Sequence, residues 1–155
     1  MEKDATRRDV LVAGLGAGLV AVLTKIEPAA ATPATMQRAI RQVVGEAPVR
    51  KGKVTIEVPA LVENGNTVAL AIQVDSPMTE QDHVKAIHVF NEKNPLPNVI
   101  SARLSPRAGR ARIATRFRLA DTQTITAIAE LSDGSFWSAS ADVIVTLQAC
   151  LESLD

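Results

Sequence analysis

The sequence has no tyrosine, one tryptophan, three phenylalanines, two histidines and a single cysteine. Four aromatic side chains are too few for a base-stacking platform, and 17 basic residues against 17 acidic ones leave no net charge to gather a polyanion. Nucleic acid is therefore not an expected partner. With Cys150 alone there is no internal disulfide, and His83 and His88 stand at no ligand spacing from it, so neither a metal site nor a cofactor is expected. No internal repeat or low-complexity tract interrupts the chain. What remains is a chain long enough for one domain, with enough apolar residues for a real core.

The first 31 residues read as a leader. Thr6-Arg7-Arg8-Asp9-Val10-Leu11 opens into a Gly/Ala-rich apolar stretch from Val10 to Leu23, and Ala29-Ala30-Ala31 offers small residues for cleavage. The paired arginines match a twin-arginine signal, which exports proteins already folded. The apolar run falls short of the roughly 20 residues of a membrane span. A mature protein beginning near Thr32, in the periplasm and off the membrane, is the expectation, with residues 32–155 forming one domain. In an oxidising compartment an unpaired thiol is a liability, which marks Cys150 as reactive or intermolecular.

Thr32-Pro33 is a helix start, a capping hydroxyl before a residue whose missing N–H costs nothing in the first turn. Met36, Ile40 and Val43 recur at helical spacing, and Gly45 ends the run. From Lys53 onward the period is two. Val54, Ile56 and Val58 mark one strand, and Val68, Leu70, Ile72 and Val74 mark the cleanest inward face in the chain. Val84 to Phe90 is apolar at both parities, as a strand buried on both sides would be. Val99 to Leu104, Ala111 to Leu119, Ile125 to Leu131 and a last run from Phe136 complete about seven strands. Turns are signalled at Asn64-Gly65 and Asp133-Gly134. The pattern predicts an all-β, antiparallel, immunoglobulin-like sandwich behind one short helix.

Within this frame Trp137 reads as core, and His88 as a histidine satisfied by hydrogen bonds rather than a general base, because no nucleophile stands at a telling spacing. Arg112, Arg116 and Arg118 fall on the outward parity of their strand and offer an anion- or partner-binding face, against the more ordinary reading of a solvated face. In the final run Val143, Val145 and Leu147 alternate with Asp142, Ile144, Thr146 and Cys150, which places the thiol on the more polar face. A small buried hydrophobe is the commoner fate of a free cysteine. The terminal position and the exported start favour a thiol that other molecules reach.

Glu63-Asn64-Gly65, Val74-Asp75-Ser76-Pro77-Met78-Thr79, Lys85-Ala86-Ile87-His88-Val89-Phe90, Lys93-Asn94-Pro95 and Glu130-Leu131-Ser132-Asp133-Gly134-Ser135-Phe136-Trp137 fall in the order and spacing of one family. Over about Pro33 to Cys150 the chain resembles SoxY, the sulfur carrier of periplasmic thiosulfate oxidation. The resemblance implies an immunoglobulin-like sandwich that pairs with SoxZ and is not itself an enzyme. Sulfur intermediates are carried covalently on a cysteine near the C-terminus, a role that only Cys150 can take. It also implies visits from a cytochrome that couples thiosulfate to the thiol, a hydrolase that removes sulfate and a dehydrogenase that oxidises the remaining sulfur. The chain departs from the pattern in its tail. The family's cysteine sits among glycines, whereas here Gln148-Ala149 precede Cys150 and Leu151-Glu152-Ser153-Leu154-Asp155 follow. Bulk replaces backbone freedom, and two carboxylates disfavour the thiolate. The alternative expectation is a paralogue that binds a SoxZ-type partner and keeps an inert thiol.

Overall fold

The computed structural model describes residues 32–147, so the leader and Cys150 both lie outside the described residues. Helix α1 (Pro33–Val44) begins where the capping chemistry places it. The Thr32 hydroxyl accepts the Thr35 amide at 3.2 Å, and the Thr35 side chain accepts the Thr32 amide in return. Gly45, at φ 60°, closes the helix with its amide on the Arg41 carbonyl at 2.8 Å. Met36, Ile40 and Val44 form the buried stripe, and Val43 packs at its flank.

Nine strands follow: β1 (Val49–Lys51), β2 (Val54–Glu57), β3 (Leu61–Asn64), β4 (Val68–Val74), β5 (Val84–Asn91), β6 (Asn98–Arg103), β7 (Arg112–Phe117), β8 (Gln123–Leu131) and β9 (Phe136–Leu147). They make a larger sheet in the order β1-β9-β8-β5-β6, with β3 also paired to β9, and a smaller sheet in the order β2-β4-β7. The sandwich core forms between them. Val68, Leu70, Ile72 and Val74 of β4 meet Ile87 and Val89 of β5, Ile125, Ala127 and Ala129 of β8, and Val143 and Val145 of β9. Immunoglobulin-like architecture and the leading helix stand as expected.

The two extra strands are β1 and β3. Each is three or four residues long and mostly exposed, so neither leaves a period-two apolar signature. Both run parallel to β9, whereas the other pairings among the described residues are antiparallel. The double apolar parity of β5 has the cause inferred for it. Ile87 and Val89 enter the sandwich, while Phe90 turns outward beneath α1 and packs with Ile128, Phe136, Met36 and Ile40.

Trp137 is less buried than a core residue. It packs against the sandwich, but the Arg50 guanidinium and the Lys53 ammonium stand 5.6 Å and 5.2 Å from its ring centroid. Between them Gly52 turns the chain at φ 109°, a backbone conformation that glycine adopts without strain, and lies against the indole. Leu147 shares the inward parity of Val143 and Val145 yet is 66% exposed, since the sandwich ends before it.

Candidate functional site

The end of β9 is the point from which the chain departs toward Cys150, and it is held from both sides. Ladder pairing between β8 and β9 stops at Gln123 opposite Val143. Beyond it the Thr122 hydroxyl takes over, accepting the Val145 amide at 3.0 Å and donating to the Val145 carbonyl at 3.4 Å. On the other edge β3 pairs Leu61 with Ile144 and Val62 with Val145. The Gly65 amide then bonds the Leu147 carbonyl at 2.9 Å, and the Gly65 carbonyl accepts the Leu119 amide at 2.8 Å. One residue of the Asn64-Gly65 turn thus ties the last described residue of β9 to the segment that follows β7. The turn itself is closed by the Asn64 side chain, which accepts the Asn66 amide at 2.9 Å.

A second knot braces the same end. The Asn94 side chain donates to the Arg118 carbonyl at 2.7 Å and accepts from the Ala120 amide at 3.0 Å and from the Gln123 side chain at 3.1 Å. Gln123, 4% exposed, accepts the Lys93 amide at 2.9 Å and donates to the Asp121 carbonyl at 3.1 Å. Lys93 adds an ion pair to Asp121 at 2.9 Å. No shorter side chain than Asn could span these three partners, and Asp would lose the donor. The Lys93-Asn94-Pro95 motif is therefore a clip that fixes residues 118–123 beside the root of β9. Sequence reasoning missed Thr122 and Gln123 altogether; their only signal was position, at the start of a strand with an apolar face.

The three arginines separate. Arg112 of β7 pairs with Glu57 of β2 at 3.3 Å across the outward face of the smaller sheet. Arg116, on the same face, borders a shallow depression of about 640 Å³ floored by Ala69, Ala71 and Ala114 and walled by Glu57 and Pro59. Arg118 lies just past β7, exposed, next to the Leu119 amide bound by Gly65. Among the described residues Arg116 and Arg118 enter no ion pair. Only Arg118 stands at the end where β9 leaves the sandwich.

His88 is remote from that end. It lies on the outward face of β5, bonded through Nδ1 to the Ser101 hydroxyl at 2.9 Å, in a cleft of about 410 Å³ with Val43, Lys85, Arg103 and Glu130. Burial lowers its pKa, with Glu130 pulling upward and Arg103 pushing downward. Through Ile128 its register position on β9 is Ser138. The strand runs on from there to Leu147, about 30 Å at roughly 3.3 Å per residue. Three further residues reach back only about 10 Å, so a base role for His88 toward Cys150 has no support. Its satisfied hydrogen bond is the reading that holds.

A family model for sulfur oxidation protein SoxY matches residues 40–150. Among solved structures, the sulfur carrier protein SoxY from Chlorobium limicola f. thiosulfatophilum is similar at a TM-score of 0.62 and 24% identity, over 74% of this chain and 98% of that one. A putative superoxide reductase from Thermotoga maritima gives a TM-score of 0.54 at 20% identity, over 63% of this chain and 93% of that one. The superoxide reductase (neelaredoxin) from Ignicoccus hospitalis gives 0.54 at 16%, over 74% and 94%. No curated protein matches the sequence. At such identities the structural likenesses speak for the fold alone, and among the described residues no three of His, Cys, Asp and Glu gather as metal donors. The family match spans most of the chain, including the Asn64-Gly65 and Lys93-Asn94 segments that brace the end of β9, and on that match the chain belongs to the SoxY family.

Proposed function

We propose that this protein carries sulfur intermediates as covalent adducts on Cys150, paired with a SoxZ-type subunit, after export to the periplasm on a twin-arginine signal in residues 1–31. Family membership supports the sulfur-carrier role in its broad form. The observation that carries the finer reading is the bracing of β9. The fold grips Val145 from both edges, through Thr122 and β3, and Leu147 from the β3 side through Gly65, and the family match continues past that grip and ends on Cys150. Three residues of chain beyond Leu147 hold the Cys150 Cα within about 11 Å of a rigid root. Such a thiol can be offered to successive enzymes without the domain unfolding.

The chemistry asked of the chain is modest. Joining thiosulfate to a thiol makes one S–S bond and releases the thiol proton and an electron pair, and the cytochrome of the family's system is the acceptor of that pair. The carrier supplies the sulfur nucleophile and its position; sulfate removal and sulfur oxidation fall to the visiting hydrolase and dehydrogenase. Arg118, at the same end of the sandwich, is a cation placed to favour thiolate or an anionic adduct.

The tail supports a second reading. Residues 148–155 contain no glycine, and Glu152 and Asp155 oppose the thiolate. On this reading the chain keeps its fold and its partner while the thiol is inert. Replacing Cys150 by Ser in a strain without other SoxY copies separates the two. A carrier supports sulfur-compound oxidation that the Ser variant loses; a partner-binding paralogue with an inert thiol gives the same phenotype with Cys150 as with Ser.

A further inference from the structure

The motif Lys85-Ala86-Ile87-His88-Val89-Phe90 is only half absorbed by the core. Ile87, Val89 and Phe90 pack in the two apolar clusters, whereas Lys85 and His88 stand with Glu130, from a second motif, in the cleft beside α1. Register shows how that cleft is built. Two adjacent rows of side chains cross the outward face of β6, β5 and β8: Arg103, Ala86 and Glu130 in one, Ser101, His88 and Ile128 in the other. Arg103 and Glu130 start two strand spacings apart, about 10 Å, with only the methyl group of Ala86 between them. Val43 of α1 lines one wall. The charges around this gap are unevenly matched. A bulge between Val84 and Ala86 leaves Lys85 without a register partner, and its ammonium pairs with Glu130. Arg103 enters no ion pair and no hydrogen bond among the described residues. His88 uses Nδ1 on the Ser101 hydroxyl at 2.9 Å, and among the described residues its Nε2 has no hydrogen-bond partner.

We propose that this cleft binds a small, doubly charged tetrahedral oxyanion of the sulfate or phosphate type, seated over Ala86 between the Arg103 guanidinium and His88 Nε2. Arg103 and His88 are diagonal neighbours on adjacent strands, a spacing of about 7–8 Å that an arginine side chain closes easily. A carboxylate would be satisfied by the guanidinium fork alone. A tetrahedral oxyanion gives two oxygens to the fork and a third to the imidazole, and its two charges match Arg103 and a protonated His88 once Lys85 has neutralised Glu130. The groups behind His88 suit either protonation state. The Asn98 amide offers Ser101 Oγ both a donor and an acceptor at 3.2 Å, so the hydroxyl can donate to a neutral Nδ1 or accept from a protonated one. The charged groups facing the imidazole are Lys85 from β5, Arg103 from β6 and Glu130 from β8; α1 brings Val43. Burial and Arg103 disfavour the His88 proton and Glu130 favours it. An anion between the two cations offsets the repulsion, so binding and protonation reinforce each other.

The test follows the histidine ring-proton resonances of the full chain by NMR while sodium sulfate replaces sodium chloride at constant ionic strength, which holds screening fixed. Only two histidines contribute, and His88→Gln identifies the signal. The expected result is a saturable shift of His88, with His83, outside the cleft, unmoved. Sulfate keeps its charge across the range, so its affinity should rise about fivefold or more from pH of about 7.5 to about 5.5 as the imidazole gains its proton. Arg103→Gln, at an exposed position, should weaken binding about tenfold or more, the worth of one charged hydrogen bond. Glu130→Gln, which frees Lys85, should strengthen it. A response that sodium chloride alone reproduces, or one that Arg103→Gln leaves unchanged, overturns the site. An equal response to sodium acetate also overturns it and gives the cleft to single carboxylates. None of these readouts depends on Cys150, so the carrier reading and this site fail separately.

Discussion

The Thr122 hydroxyl holds Val145 by both of its backbone groups, accepting from the amide at 3.0 Å and donating to the carbonyl at 3.4 Å. It stands where the β8–β9 ladder has run out, so one side chain replaces two backbone hydrogen bonds at the root of the arm. Thr122→Val keeps the shape and removes both. The expected result is a loss of about 1–2 kcal/mol in the free energy that protects the Val145 amide, with Thr122→Ser restoring it. Hydrogen exchange across residues 143–147 measures this. Equal protection in the valine variant would show that β3 alone holds the strand.

Asn94 predicts a larger and more global effect. Asn94→Ala leaves the Ala120 amide and the Gln123 side chain without their acceptor and the Arg118 carbonyl without its donor. A destabilisation of about 1–3 kcal/mol is expected from the stranded, partly buried groups, read as the urea midpoint at unchanged slope. Asn94→Asp should recover only part of it, because the bond to Arg118 needs a donor.

Asn91 should respond in the opposite direction. It is fully buried, and neither its amide nitrogen nor its carbonyl oxygen has a hydrogen-bond partner within the protein. Its neighbour across the ladder is Ile125, also fully buried. Asn91→Leu removes two unpaired polar atoms from an apolar site and should stabilise the fold by about 1 kcal/mol. Thermal unfolding checks it. A loss of stability would show that a buried water satisfies the amide.

His88 gives the fold a pH dependence of known sign. Its imidazole is held below the ordinary value of 6.5, first by burial and then by Arg103, with Glu130 opposing. Lys85, which faces the same cleft, is paired to Glu130. The unfolded chain therefore binds this proton more readily than the folded one. Stability from neutral His88 is complete above the unfolded value and is lost as pH falls from there through the lowered folded value. His88→Gln keeps a partner for Ser101 and removes the titration. The drop in urea midpoint between pH of about 7.5 and about 5.5 should be smaller in the variant than in the parent chain.

How much of this was legible in the sequence depended on whether a residue acts through a pattern or through a contact. Thr32-Pro33 and Gly45 bound α1 because capping is local chemistry. The alternation of Val68, Leu70, Ile72 and Val74 marked β4 because its inward face is unbroken. β1 and β3 were illegible: short, exposed strands held by parallel pairing to a distant partner leave no periodic mark. Leu147 read as inward by parity, which says nothing about where the opposing sheet stops. Asn94 could be found as part of a family motif but not explained, since its partners lie at positions 118–123. Thr122 could not be found at all, because a threonine that clips a backbone looks like any other before it folds. The Arg112, Arg116 and Arg118 face was one pattern in sequence and three different environments in space.

Covalent sulfur on Cys150 is tested most directly by intact mass spectrometry of the protein isolated from cells oxidising thiosulfate, with and without reductant, followed by peptide mapping of the C-terminal segment. The carrier reading predicts adducts of sulfur or thiosulfate mass that map to Cys150 and vanish on reduction. A Cys150 that is unmodified under the same conditions, in protein bound to its partner subunit, would contradict it.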